Sequence, residues 1–432
     1  MTSRLKYFVV TASTCLVILL LVGAHHNSAA STEDQYRHLA VYTEVLSHIK
    51  GDYVEEPDLK NVTLGALNGM LESIDPYASY LNADQYKQYL KTKDSVGKKA
   101  SVGLVVAKRL GYLGIVDALP GSPADKAGLN TGDIIESING VSTRDMPLVY
   151  AEMLLEGDAG SNVELGLMRY SHPDPTKVTL TRAQIHYPPV TAKLMADQIG
   201  YIQVPVIDAA HLREVKTKVE DLQRQGAKKL ILDLRNDPLG APEDGAHLAG
   251  LFVDKGILTY VQGQKYPRQN IDASPASVIT KLPLTVITNR GTAGGAEVAA
   301  AALEDSKRAE IVGERTYGNA AIRKAITMDD GSAVILSVAK YYSPNGKSIQ
   351  DNGVTPTVQV AEAQPVIEDD DSPDQTPEQR TPQKPSEDLL LKKAIDVANG
   401  VKSASDSGAR EAAPASPGMT PLHIPADPNK KP

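Results

Sequence analysis

The stretch GSPADKAGLNTGDIIESING, residues 121–140, carries clear secondary-structure signals. Its Ser-Pro pair starts a short helix that a glycine ends, and an apolar run then closes on an Asn-Gly turn, which is typical of a strand. Two earlier apolar runs, Val102–Val106 and Leu113–Val116, predict further strands. We therefore predict a small β-rich domain with short helices over residues 98–185.

This pattern resembles the core of a PDZ domain, and the resemblance covers most of residues 98–185. It implies a groove in which a peptide adds to the sheet as a strand, while backbone N–H groups around a glycine hold its terminal carboxylate. The predicted peptide-binding residues are Val102, Gly103, Leu104, Val105 and Val106. Leu104 and Val106 alternate with Val105, so we predict a pocket for apolar C-termini. The alternative is a structural subunit with a closed groove.

Three further regions flank this domain. Residues 34–97 show apolar residues at three- and four-residue steps and predict a helical N-terminal region. Residues 186–360 alternate strand and helix patterns, which indicates an α/β core built from crossover units. Among these patterns, Leu212 to Gln225 predicts an amphipathic helix and residues 284–288 predict a buried strand. Residues 361–432 are rich in proline and acidic residues and predict a disordered tail with one short helix at 388–399. The predicted fold class is a multi-domain α/β protein.

Residues 1–30 have the pattern of a targeting segment. Arg4 and Lys6 precede a mainly apolar run over residues 8–24, and small residues follow at 28–30. A run of this length fits a cleaved signal peptide as well as an uncleaved membrane anchor. Both interpretations place the mature protein outside the cytoplasm, periplasmic or secreted, and the second tethers it to the inner membrane.

The composition narrows the classes of function. The 432 residues include 45 Lys and Arg against 53 Asp and Glu, a net charge of -8, and no basic cluster stands out, which argues against a nucleic-acid binder. The single cysteine, Cys15, excludes intrachain disulfides and cysteine-rich zinc sites. The histidines are scattered without metal-ligand spacing, so we predict neither a metal nor another cofactor.

The order of helical region, PDZ-like domain and α/β core resembles the carboxy-terminal processing, or tail-specific, serine peptidases. Three motifs between Tyr36 and Val360 support the resemblance: DPYASYL at 75–81, LILDLRNDPLG at 230–240 and AKYYSPNG at 339–346. The family uses a serine nucleophile at a strand-to-helix turn and a lysine base. A hydroxyl needs such a base because it is a poor nucleophile until its proton is accepted.

This chain departs from the family pattern at the positions that carry the chemistry. In NRGTAGGAEV, residues 289–298, the serine position is Gly294. In GERTYGNAAIR, residues 313–323, the lysine position is Asn319 and the supporting glutamine position is Arg323. Glycine has no side chain to attack a carbonyl, and asparagine is no base near neutral pH. The resemblance therefore implies an inactive catalytic site.

The oxyanion hole is altered as well. Leu239 stands where the family has a glycine that contributes an N–H group, and Gly295 is the second oxyanion-hole candidate. The leading hypothesis is an extracytoplasmic pseudoprotease that binds polypeptide C-termini or a partner protein. An active endopeptidase with a relocated Thr292–Lys324 pair is the competing hypothesis, although neighbouring strand residues point to opposite faces and place Lys324 away from the Arg323 side. A homo-oligomer is compatible with each hypothesis.

Overall fold

The structure is a computed structural model that describes residues 39–93, 100–109, 111–144, 146–169, 172–361 and 388–401. The predicted targeting segment and most of the predicted disordered tail lie outside these residues. Within the described ranges, no helix has the length and apolar character needed to span a membrane. The described chain has the predicted mixed α/β architecture: a helical N-terminal part, a β-rich domain and an α/β core.

The N-terminal part is mainly helical, as predicted. Its elements are helix α1 over 39–52, helix α2 (Leu59–Glu72), strand β1 (Ser79–Leu81) and helix α3 (Ala83–Lys93). Asp58 begins α2 because its side chain accepts the backbone N–H groups of Lys60 and Asn61. Strand β1 differs from the purely helical prediction, since it pairs antiparallel with a strand of the core. This pairing joins the N-terminal part to the core.

The β-rich domain is built around one antiparallel sheet with the order β3-β4-β5-β8-β9. Its elements are β2 (Ala100–Ser101), β3 (Leu104–Arg109), β4 (Tyr112–Ala118), α4 (Pro123–Lys126), β5 (Ile134–Ile138), β6 (Val141–Ser142), α5 (Leu148–Leu155), β7 (Glu156–Gly157), β8 (Asn162–Arg169) and β9 (His172–Thr181). Leu113, Ile135 and Leu165 are fully buried between the sheet and α5 in one hydrophobic cluster. Strand β3 lies at the edge of this sheet.

The core contains the predicted crossover units. Its main sheet has the order β10-β11-β12-β15-β16-β19 and is parallel except for the β10–β11 pair. The elements are β10 (Thr191–Leu194), β11 (Ile199–Gln203), α6 (Ala209–Arg224), β12 (Lys229–Asp233), α7 (Pro242–Gly250), β13 (Ile257–Gly263), β14 (Tyr266–Asp272), β15 (Leu284–Thr288), α8 (Gly295–Asp305), β16 (Ala309–Gly313), β17 (Ala321–Thr327), β18 (Ala333–Tyr342) and β19 (Val358–Gln359). Strands β12 and β15 are adjacent, so the loops that lead from them into α7 and α8 meet at one sheet edge.

A second sheet of the core lies beside α7 and α8. It has the order β1-β18-β13-β14, and β17 pairs with β18 outside this path. Leu258 and Tyr341 of this sheet are buried in the same hydrophobic cluster as Val298 of α8. This packing brings β17 close to the loops that follow β12 and β15.

Helix α9 (Leu389–Ala398) lies within the segment 388–399 for which a short helix is predicted. It is an integral part of the core, because Leu390 and Ala394 are buried against the main sheet. Arg235 forms hydrogen bonds to both carboxylate oxygens of Asp388, the residue before the helix, at 2.9 Å each. Part of the segment predicted as a disordered tail therefore completes one face of the sheet.

Candidate functional site

The strand-to-helix turn that carries Gly294 has the backbone shape of a nucleophile position. Strand β15 is buried along its whole length, and α8 begins directly after Gly294. Gly294 has φ 58° and ψ −120°, a conformation that strains residues with a side chain and is typical of such a sharp turn. The turn therefore has a sharp strand-to-helix shape but carries no side chain at its predicted nucleophile position.

The carboxylate of Glu297 brings the two altered catalytic positions together. Its Oε2 accepts the backbone N–H of Gly294 at 3.1 Å and that of Asn319 at 2.7 Å. Its Oε1 accepts the N–H of Gly318 at 2.6 Å and the hydroxyl of Thr316. Burial raises the pKa of Glu297 to about 7, and these donors oppose the rise. Sequence analysis missed this residue, although a glutamate three positions after a helix N-cap is a known capping signal.

The oxyanion hole is closed in this structure. The backbone N–H of Gly295 donates to the carbonyl oxygen of Gly240 at 3.1 Å. A Cβ added at Gly294 would lie 2.9 Å from the same oxygen. The N–H of Leu239 lies near the carboxyl of Asp237 and lowers its pKa. The Gly295 N–H is therefore engaged within the protein, and the Leu239 N–H lies beside the Asp237 carboxyl.

Asn319 and Arg323, which stand where the family has lysine and glutamine, form a small polar cluster. Nη2 of Arg323 donates to Oδ1 of Asn319 at 2.5 Å. The Arg323 guanidinium lies 4.3 Å from the centre of the Tyr77 ring, and the ring of Tyr77 meets that of Tyr317 edge to face at 6.4 Å. The structure thus brings Gly294, Asn319 and Arg323 together, with the cation where the family has a neutral amide.

The relocated pair of the enzyme hypothesis does not have the geometry of a catalytic pair. Thr292 is fully buried, and its hydroxyl donates to the carbonyl oxygen of Leu234 at 2.8 Å. The same hydroxyl accepts the N–H of Asn289 at 3.0 Å. Lys324 is exposed on β17. The Thr292 hydroxyl is therefore committed to the backbone of the turn.

Asp237 is a further site residue that sequence analysis did not single out. Both carboxylate oxygens are buried without a hydrogen bond of normal geometry to any described residue. Burial raises the pKa of Asp237 well above its ordinary value, and the nearby Leu239 N–H only partly opposes this. An isolated carboxylate in such a place is costly, so burial favours the protonated form of this carboxyl.

Asp237→Asn is expected to weaken the pH dependence of stability. The folded-state pKa lies above the ordinary value of 3.8, so the wild type loses stability as the pH rises from about 4 through the folded-state pKa. An amide cannot ionise, and the advantage of the variant should grow to about 1–3 kcal/mol at high pH. Urea denaturation at pH 4 and pH 8 measures this difference. Equal pH slopes for the two proteins would contradict the expectation.

The edge of β3 is open to a further strand. Strand β3 pairs with β4 on one side, and among the described residues no strand pairs with its other side. Helix α5 contacts β3 and contributes Leu148 and Leu155 to the same hydrophobic cluster. An extended peptide added to β3 would therefore lie next to α5, which is the arrangement that strand addition needs.

The predicted carboxylate loop is only partly as expected. Gly103 has φ 77°, and a Cβ there would come within 2.2 Å of the Ser122 side chain. Its N–H donates to Oγ of Ser101 at 3.1 Å, so a carboxylate bound by this group has to displace that hydroxyl. Val102 and Val106 are buried in the domain interior, whereas Leu104 and Val105 are half-buried. Leu104 is the better placed wall for a terminal side chain. A cavity of about 600 Å³ beside Ser122 is lined by none of residues 102–106 and lies outside this groove.

The fold and the site together define a class: a PDZ domain joined to an α/β serine-peptidase core. Sequence profiles agree with this class. The profile of the PDZ domain matches residues 114–169, and that of peptidase family S41 matches residues 198–360.

Individual relatives narrow the class further. Carboxy-terminal processing protease CtpA of Bacillus subtilis is 31% identical over 352 residues, which cover 81% of this chain and 74% of the relative. The carboxyl-terminal-processing protease of Synechocystis sp. is 33% identical, covering 71% and 73%. The solved photosystem II D1 C-terminal processing protease has a TM-score of 0.61 at 29% identity, covering 74% of this chain and 86% of that one. This chain belongs to the carboxy-terminal processing protease family.

Proposed function

We propose that this chain is a non-catalytic member of its family that binds polypeptide C-termini through the groove between β3 and α5. The observation that carries the proposal is Gly294 at the nucleophile position, with the carbonyl of Gly240 covering it. Loss of a nucleophile costs on the order of 10⁶ in turnover. In this proposal residues 98–185 form the binding domain and residues 186–360 form an inactive core.

A second, independent argument for a non-catalytic function is that the general base is missing. Asn319 cannot accept a proton from a hydroxyl near neutral pH, and its side-chain oxygen already accepts a hydrogen bond from Arg323. Ser337, opposite Arg323 on β18, is another hydroxyl near this site. It is buried without a hydrogen-bond partner in the described chain, so no base activates it as a nucleophile. These contacts favour a binding function over a relocated serine-type endopeptidase.

The groove supports binding because its main-chain edge is available. Strand addition gives affinity through backbone hydrogen bonds, while the terminal carboxylate and side chain give selectivity. Leu104 borders the place where a terminal side chain would lie, which favours apolar C-termini. Affinity should be modest, roughly micromolar, because a few-residue strand buries little area and loses its own freedom on binding.

The cellular location follows from the sequence pattern of residues 1–30. In this proposal they direct the chain out of the cytoplasm, and the apolar run at 8–24 is either cleaved or kept as a tether to the inner membrane. The polypeptides that it binds are then extracytoplasmic proteins or a partner protein of the same compartment. A structural subunit with a closed groove remains the second candidate.

One experiment separates these candidates. Purified protein is titrated with a short Gly-Ser peptide that ends in valines, in its free-acid and amide forms, and the peptide is then checked for cleavage. We expect the acid form to bind about 10–100-fold more tightly, because the amide loses charge-assisted hydrogen bonds. We expect both forms to remain intact.

Two outcomes would overturn the proposal in different ways. Equal binding of acid and amide would remove carboxylate capture and favour the structural subunit. Cleavage of the peptide, or covalent labelling by a serine-directed fluorophosphonate that Thr292→Ala abolishes, would favour the enzyme. Carboxy-terminal processing protease CtpA of Bacillus subtilis serves as the positive control for cleavage.

A further inference from the structure

The guanidinium of Arg323, beside the predicted base position Asn319, is held in place by contacts within the protein. Arg323 stacks on the ring of Tyr77, and its guanidinium donates a hydrogen bond to the side chain of Asn319. The side chain is exposed, so other donors of the planar group face accessible space. Because stacking and a hydrogen bond already fix the guanidinium, binding an anion costs it little further freedom.

Asn319, the residue to which this guanidinium donates, adjoins the space that a side chain at Gly294 would occupy. The carbonyl oxygen of Asn319 is 4.0 Å from the Cβ that Gly294 lacks. The backbone N–H groups of these two residues share one oxygen of Glu297. A register shift between Ile322 and Arg323 bends β17 at this point. Such irregularities commonly re-aim a side chain beside a functional site.

We propose that the guanidinium of Arg323, held beside the Asn319 side chain, binds the α-carboxylate of a polypeptide C-terminus. The inference rests on the proposed function, because a site that cleaved peptides would not keep one as a stable ligand. Arginine offers a carboxylate two parallel hydrogen bonds, which the ammonium group of lysine cannot reproduce. The site is separate from the groove beside β3.

The strand that carries Arg323 also provides backbone for an extended peptide. Strand β17 pairs with β18 along one edge, and no strand in the described part of the chain pairs with the other edge. Unpaired strand edges are templates for adding an extended segment. Main-chain hydrogen bonds then hold the peptide, and Arg323 fixes its terminus.

Glu152 of α5 is the charged group that opposes this ligand. The Arg323 charge favours the ionised form of Glu152, but the pKa of this carboxyl is raised to about 7, so Glu152 opposes an incoming carboxylate mainly above that pH. Glu152→Gln is expected to tighten peptide binding at Arg323 several-fold. The substitution removes a negative charge that repels the peptide carboxylate, without changing the size of the side chain.

The test maps where a peptide binds. The valine-ending Gly-Ser peptide, with a photo-crosslinking residue near its C-terminus, is irradiated with the full chain, and cross-linked segments are identified by mass spectrometry. We expect cross-links both to β3, which lines only the groove, and to residues around Asn319. Arg323→Gln should weaken the second set about tenfold or more, and Arg323→Lys should restore it only in part. Lys324→Gln, which removes an equal charge from the next position, should change it less than twofold.

The outcomes separate this inference from the proposed function. Cross-links to β3 with none around Asn319 would overturn the inference and leave the groove proposal standing. Cross-links confined to the vicinity of Asn319 would support the inference and overturn the groove. Equal effects of Arg323→Gln and Lys324→Gln would also overturn it, because a general loss of positive charge would then explain the binding. Circular dichroism checks that each variant is folded.

Discussion

Gly245→Ala is expected to lower the free energy of unfolding by about 3 kcal/mol or more. An added Cβ would lie 1.9 Å from the carbonyl oxygen of Gly295 and 2.6 Å from its carbonyl carbon. Both are backbone atoms at the start of α8, so no flexible side chain can move aside. Overpacking of this kind typically costs 1–3 kcal/mol and more where the backbone has to shift.

The same close approach shapes the candidate site. A Cβ at Gly295 would in turn lie 2.7 Å from the carbonyl oxygen of Ala241, at the start of α7. Helices α7 and α8 therefore meet backbone to backbone, and this contact sets the distance between the Gly240 carbonyl and the turn at Gly294. A residue larger than glycine at Gly245 should disturb the site as well as the stability.

Gly65→Ala and Gly69→Ala in α2 are the matched controls for Gly245→Ala. Neither glycine has an atom within 4 Å of an added Cβ. Alanine is the better helix former, so each control should stabilise the protein by about 0.5–1 kcal/mol. Urea denaturation of all three variants measures the effects. A Gly245→Ala variant within 1 kcal/mol of the wild type would show that the two helices can separate without cost.

Local patterns predicted the elements that depend on neighbouring residues in the sequence. The helix expected from Leu212 to Gln225 is α6, which begins earlier because the Asp208 side chain accepts the N–H groups of Ala210 and His211. The buried strand expected over 284–288 is β15. These elements form because capping and apolar periodicity act within a few residues.

Local sequence patterns could not predict the contacts between segments that are distant in the sequence. Sequence analysis placed Gly294 and Asn319 at one site only through the resemblance, whereas the structure shows that Glu297 joins them. The closed oxyanion hole depends on the carbonyl of Gly240, an atom that every residue type carries. The docking of α9 depends on the pairing of Arg235 with Asp388, which nothing near either residue indicates.

The double variant Gly294→Ser with Asn319→Lys is expected to stay at least 10²–10³-fold, in round terms, below an active relative. The serine Cβ would lie 2.9 Å from the carbonyl oxygen of Gly240 and would have to adopt φ near 58°. A residue with a side chain is strained there by about 1–3 kcal/mol. The N–H of Gly295 would still donate to Gly240 and not to a substrate oxyanion.

Arg323 adds an electrostatic obstacle to the double variant. A lysine at 319 would face its guanidinium, which now donates to the Asn319 side chain at 2.5 Å. A neighbouring cation lowers the pKa of a lysine and so favours a neutral base, but it also occupies the place of the supporting amide. The base would therefore be neutral and misplaced, which limits any gain in rate.

Two further substitutions test whether these obstacles are the correct ones. Adding Arg323→Gln and Leu239→Gly to the double variant restores the supporting amide and the backbone freedom of the oxyanion loop. The quadruple variant should exceed the double variant in cleaving an unstructured polypeptide, with Bacillus subtilis CtpA as the reference. Turnover of the double variant within tenfold of that reference would show that Gly240 and Arg323 do not block the site. Equal rates for the two variants would place the obstacle elsewhere, in the closed contact between α7 and α8.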